Sequence, residues 1–189
     1  RVLDRAYEAA KGKNKVGTTG KGIGPTYSDK ASRIGLRVGD IQDNFEQKYN
    51  ALKARHEQIL KDLHFTDYDI TEEEQKWMEG IKYMSQFPLR DTEFEINKAL
   101  AEGKNVLAEG AQGTMLDIDH GTYPFVSSSS TCTGGVCTGL GVAPNSIGEI
   151  FGIFKAYSTR VGSGPFPVEL FDETGEKIRD IGHEYGAVT

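Results

Sequence analysis

Between residues 41 and 60, in IQDNFEQKYNALKARHEQIL, apolar side chains recur at three- and four-residue steps: Ile41, Phe45, Tyr49, Leu52, then His56 or Ile59. That spacing gathers them on one face of an α-helix and turns the charged residues to water. Two further helical patterns follow. TEEEQKWMEGIKYMSQF opens on Thr71 as an N-cap with acidic residues in its first turn, and DTEFEINKALAEG opens on Asp91 and closes on Gly103. These are the ends at which helices take a side-chain acceptor and a left-handed glycine. Residues 41 to 103 therefore read as a helical block of packing and spacing elements. Ahead of it, LDRAYEAAK predicts a helix, GKNK a basic turn, and TYSDKASRIG a second helix with Pro25 suited to its first turn.

From residue 104 the pattern changes. NVLAEGAQG and IFGIFKAYSTRVGSGPFP each join a short apolar run to a glycine-bearing loop. Such runs mark buried strands that deliver a loop at their C-terminal ends, which is the edge where open parallel sheets bind ligands. Helices combined with short buried strands predict the α/β class: a mainly parallel central sheet flanked by helices, with the helical block at 41–103 as an insertion. No internal repeat occurs, and SSSS at 127–130 is too short for a low-complexity linker.

Composition narrows the function classes. A chain of 189 residues can bury one core, or one and part of another. Its net charge of -6, with no long basic run to offset it, argues against nucleic acid as a partner. No apolar run approaches the roughly 20 residues a membrane-spanning helix needs, and the N-terminal RVLDRAYEAAKGKNK has neither an initiator Met nor a signal-like stretch. Both ends read as cut. Cys132 and Cys137 lie in TCTGGVCTG, and the four histidines are scattered without ligand spacing, so no metal site is expected and a reducing cytoplasm is.

Candidate chemistry sits in two loops. GTTGKGIG, residues 17–24, fits neither the nucleotide P-loop spacing nor the dinucleotide fingerprint, because only two residues separate Gly17 from Gly20 and Pro25 stands where a third glycine is needed. Two readings stay open: a plain glycine turn, or a phosphate-facing loop drawing on Thr18, Thr19, helix-start amides and the cations Lys21, Lys30, Arg33 and Arg37. The second loop, AEGAQGTMLDIDHGTYPFVSSSSTCTGG at 108–135, mixes Glu109, Gln112, Asp117, Asp119 and His120 with a run of hydroxyls on no regular period. Gln112 can donate and accept, as reading a heterocycle edge requires, and the serines can hold a phosphate. Local turn capping is the alternative. His120 beside Asp119 is no dyad, since adjacent strand residues face opposite ways, and no G-x-S-x-G elbow exists.

GTTGKGIGPTYSDKASRIGLRVGD, EGAQGTMLDIDHGTYPFVSSS and KAYSTRVGSGPFPVEL with GHEYGAVT together resemble the adenylosuccinate synthetases over nearly the whole chain. The resemblance implies a P-loop-NTPase-like architecture and a GTP- and Mg²⁺-dependent ligation of IMP with L-aspartate to adenylosuccinate, through 6-phosphoryl-IMP. It implies that residues 1–189 are the central portion of a single synthetase domain, without the N-terminal GTP loop, its catalytic and metal-binding residues, or the C-terminal guanine-recognition region. By the same resemblance Thr19, Gln112 and Ser127 bind IMP, Ser127 standing where the family commonly has threonine. Arg33 reaches the partner subunit's IMP in a homodimer, and Val188 and Thr189 open the aspartate loop. Lys21 stands where the family often has arginine, and no role is assigned to Arg37 or His120. TCTGGVCTG looks more like eukaryotic members than bacterial ones. The competing reading is a non-catalytic nucleotide-binding or dimerisation module.

Overall fold

A computed structural model describes residues 1–189, which divide into two compact units: residues 1–12 with 20–104, and residues 13–19 with 105–189. The first unit is helical. α1 (Val2–Ala10) and α2 (Ile23–Ala31) precede α3 (Phe45–Asp62), α4 (Thr71–Met84) and α5 (Thr92–Ala101). The helical stretch expected over 41–103 thus resolves into three helices.

Its boundaries follow from local chemistry. Asn44 adopts a left-handed backbone (φ 55°), which separates Ile41, in a 3₁₀ turn at Val38–Gln42, from α3. The expected continuous face from Ile41 to Ile59 therefore starts at Phe45. Thr71 is the first helical residue rather than the N-cap: Asp69 accepts both its N–H (2.9 Å) and its hydroxyl (2.6 Å). Asp91 does cap α5, accepting the Phe94 N–H at 3.2 Å, and Gly103 closes it at φ 74°.

A small core joins α1 to α3 through Leu3, Ala6 and Leu60, with Ile59, Leu63 and Phe65 packed around it. Polar ties fix α2 to the same group. Asp4, largely buried, accepts the Gly22 N–H at 2.9 Å, and His56 of α3 meets Asp29 of α2 at 2.9 Å. α3 and α4 close on an aromatic cluster, Trp77 lying 5.1 Å from Tyr49 and 5.5 Å from Phe45 between ring centroids. Beside it, Glu74 takes Lys53 Nζ at 2.7 Å and the Tyr49 hydroxyl. Burial, then the Glu74 contact, raise the Tyr49 phenol above its ordinary range.

The second unit is held by loops, with α6 (Gly134–Leu140) and α7 (Glu173–Ile181) as its helices. The mainly parallel sheet expected from the sequence is not formed in this chain: the sole β pairing is an isolated antiparallel bridge between Arg160 and Val188. Residues 105–111 and 149–155 carry no ladder, and their apolar side chains stand in solvent, Leu107 at 90% exposure and Ile153 at 97%. The physical reason is that a strand is completed by its neighbours, and no second strand lies beside either segment to accept its backbone bonds.

Asp172 caps α7 twice, accepting the N–H groups of Thr174 (3.0 Å) and Gly175 (3.1 Å). Asp172→Ala is expected to lower stability by about 1 kcal/mol, the usual worth of such a cap, measurable as a shifted urea midpoint of the intact protein.

Candidate functional site

The loop from Gly113 to Cys132 is organised around one carboxylate. Asp117 is 0% exposed. Its Oδ1 accepts the backbone N–H groups of Asp119 (2.9 Å) and His120 (3.1 Å). Its Oδ2 accepts the Ser130 hydroxyl (2.9 Å) and the N–H groups of Thr131 (2.7 Å) and Cys132 (3.2 Å). The Asp119 amide is the largest influence holding this carboxyl far below the usual range; burial opposes it, and Ser130, His120 and Thr131 reinforce it. The neighbouring Cys132 thiol is pushed up, by desolvation first and then by Asp117.

Around that centre the two arms of the loop run side by side. The Ser127 N–H donates to the Leu116 carbonyl at 2.8 Å, and the Ile118 N–H to the Ser129 carbonyl at 3.3 Å. The Thr131 hydroxyl reaches back to the Gly113 carbonyl at 2.8 Å, adjoining Gln112, whose backbone is left-handed at φ 64°. Gln112 and Ser127 are therefore carried by segments that the same few residues tie together. The hydroxyls divide: Ser130 and Thr131 bond inward, while the half-buried Ser127, Ser128 and Ser129 make no side-chain hydrogen bond within the chain.

A second set of contacts joins the rest of the unit. Arg160 pairs with Val188 through both backbone groups, N–H to carbonyl at 3.1 and 2.9 Å. Its guanidinium donates to the carbonyls of Phe125 and Ser163, each at 2.9 Å, two residues short of Ser127 in the first case. Gly164 makes room for it, since a Cβ there would sit 2.3 Å from the guanidinium Nη2. Thr189 is buried; its hydroxyl donates to the Gly175 carbonyl at 2.9 Å and its own carbonyl accepts the Leu170 N–H at 2.8 Å. The threonine loop enters the same unit at Val16, whose carbonyl accepts the Ser163 N–H at 3.1 Å. Gly17 and Gly162 meet so closely that a Cβ on Gly17 would stand 2.9 Å from the Gly162 Cα. Thr19 lies exposed two residues further on.

Arg33 belongs to the first unit. It ends α2 at φ 62°, exposed, beside a groove of about 610 Å³ that Arg37, Lys48 and Arg55 also line. The carboxylate of that groove, Asp40, is already engaged by Lys48 and by the Arg37 N–H. The phosphate-cradle reading of the α2 start is narrower than the sequence implied: Asp4 takes the Gly22 amide and Pro25 has none, leaving Ile23 and Gly24 as first-turn donors. Asp119 and His120 offer their backbone amides to Asp117 and form no catalytic pair. Asp117 and Arg160, the two residues that hold the loops in place, had no role assigned from sequence.

The hydroxyl-lined loop around a buried acid in one unit and the open cationic groove in the other each offer donors to an anionic ligand. The fold agrees: a fully ligated adenylosuccinate synthetase from Plasmodium falciparum superposes with a TM-score of 0.86 at 41% identity, over 98% of this chain and 44% of that one. The family model described as adenylosuccinate synthetase matches residues 1–189, and the chain belongs to that family. Among curated relatives, the synthetase of Bacteroides thetaiotaomicron is 70% identical over the whole chain and that of Porphyromonas gingivalis 59%. These are bacterial proteins, against the eukaryotic flavour read from TCTGGVCTG. The chain spans 44% and 45% of their lengths.

Proposed function

We propose that the intact protein ligates IMP and L-aspartate to adenylosuccinate at the expense of GTP, as a ligase of purine nucleotide biosynthesis working in the cytoplasm as a homodimer. The observation that supports this best is the family match across every residue of the chain. Residues 1–189 are then the central portion of a single synthetase domain, with a parallel sheet completed by the rest of the protein. No helix here is long and apolar enough to cross a membrane.

The reaction asks for activation and then substitution. The purine O6 attacks the γ-phosphorus of GTP as N1 gives up its proton, forming O6–P and breaking the bond to GDP. The neutral aspartate amine then forms C6–N and sheds a proton as C6–O breaks and phosphate leaves. An amide-like oxygen departs poorly, whereas a phosphoryl oxygen departs well, so binding must fix the purine while charge moves. Thr19, Gln112 and Ser127 would hold IMP, the hydroxyls on its phosphate and the Gln112 amide reading polar edges. Arg33 would reach the partner subunit's IMP, and Val188 and Thr189 would start the aspartate loop.

Mg²⁺, which stabilises transferring phosphoryl charge, does not fit the residues of this chain. No group of three or more His, Cys, Asp or Glu side chains is gathered to hold an ion, and both oxygens of Asp117 are committed to protein donors. The ion and the guanine of GTP would be held by the remainder of the protein. The test is a coupled assay of the intact protein with IMP, aspartate, GTP and Mg²⁺. Adenylosuccinate is expected, and its formation should fall about tenfold in Thr19→Ala, the worth of one charge-assisted hydrogen bond. Failure to form adenylosuccinate overturns the reading.

A further inference from the structure

We infer that Asp117 is a positioning residue for the nucleotide monophosphate, acting through Ser127: it sets the hydroxyl arm of the loop against the Gln112 arm. The inference rests on the reading of the IMP site proposed above. Five donors converge on this one side chain: Asp119 and His120, two and three residues further along, and Ser130, Thr131 and Cys132 from the far arm of the loop. An ionised carboxylate is the side chain suited to this, because it accepts at both oxygens and donates from neither. Its neighbours then fix the register: Leu116 takes the Ser127 amide and Ile118 gives to Ser129. The consequence falls on the hydroxyls of Ser127, Ser128 and Ser129, which make no inward bond while Ser130 and Thr131 do; of the three, Ser127 is the one the site reading places on IMP. Thr131 carries the same tie to Gly113, next to Gln112.

The isosteric change Asp117→Asn keeps the volume but points an amide N–H₂ at N–H donors on one side of the knot. In the intact enzyme it is expected to raise the KM for IMP about tenfold, with kcat and the KM for GTP changed much less, since hydrogen bonds to a charged group carry about that worth. A purely structural acid would lower stability or kcat without singling out IMP.

The second readout is a double-mutant cycle with Ser127→Ala. If Asp117 works through Ser127, the penalty of Ser127→Ala in the native background largely vanishes in the Asp117→Asn background. Additive penalties, or an unchanged KM for IMP in Asp117→Asn, overturn the positioning role while leaving the site reading intact. A native-background Ser127→Ala without effect on IMP overturns the site reading itself. Should Asp117→Asn not fold, Ser130→Ala removes one donor and keeps the carboxylate. It is expected to raise the KM for IMP about threefold, again non-additively with Ser127→Ala, and additivity there overturns the proposal as well.

Discussion

Arg33→Gly is expected to leave the intact enzyme as stable as before, or more so, and to raise the KM for IMP about a hundredfold, the worth of two charge-assisted hydrogen bonds to phosphate. The two halves of that expectation come from different links of the chain. On the folding side, Arg33 sits just past the end of α2 at φ 62°, its N–H donating to the Lys30 carbonyl while Ile34 and Gly35 both donate to Asp29. This is the helix-closing position that glycine occupies most easily, and a side chain there costs up to about 1 kcal/mol. Nothing inside the chain rewards it: Arg33 is exposed and makes no ion pair within the first unit. On the functional side, its guanidinium faces a groove whose other cations, Arg37, Lys48 and Arg55, outnumber the one engaged acid, Asp40. Backbone strain kept at an exposed cation is the signature of a residue retained for a ligand. Thermal melting and IMP kinetics on the same preparation separate the two effects. A variant that loses stability along with activity would show that Arg33 is structural. Mixing it with Gln112→Ala subunits checks the shared site: activity returns in the mixture only when each arginine serves its partner, and no return places Arg33 in its own subunit's site.

What the sequence revealed, and what it concealed, divides along the reach of the interactions involved. Helices were legible where cap and period are local, as at Asp91 with Gly103, or in the face from Phe45 to Ile59. The misreadings have equally local causes: a left-handed Asn44 that no periodicity reveals, and an Asp69 that outcompeted Thr71 for the α4 start. α6 was illegible because GGVCTGL is built from poor helix formers. α7 carries a local signal of the same kind, Asp172 followed by acids and then Ile178 and Ile181. Within the candidate site, Gln112 and Ser127 stood out by resemblance. Asp117 did not, because its role depends on donors 13 to 15 residues away that only the folded loop brings within 3.2 Å. Arg160 is the same case, with partners at 122 and 125 on one side and 188 on the other. The two apolar runs led to an α/β class with a parallel sheet that this chain does not show, because a sheet is a property of several strands together and this stretch of chain holds the runs without their ladders.

Ile153→Asp provides the sharpest test of where those runs belong. In the structure Ile150, Phe151, Ile153 and Phe154 are exposed, Ile153 at 97% and Phe154 at 91%, so an aspartate at 153 would meet only water and cost almost nothing. The sequence argues otherwise. Apolar side chains at 150, 151, 153 and 154 cover both faces of an extended segment, the composition of a strand buried on two sides, and Leu107 at 90% exposure marks a second such segment. Monomeric proteins rarely leave so contiguous an apolar surface in water. The chain spans 44% of the length of its Bacteroides thetaiotaomicron relative, so ample polypeptide exists in such a protein to pair and cover both segments. In the intact synthetase, Ile153→Asp is therefore expected to bury an unpaired charge and cost about 4 kcal/mol or more, enough to remove most of a typical domain's stability. The enzyme should be recovered insoluble or with its urea midpoint collapsed, while Lys177→Asp on the exposed face of α7 behaves nearly as wild type. An Ile153→Asp enzyme that unfolds at the native midpoint would place the segment at the surface, and with it would go the proposed parallel sheet.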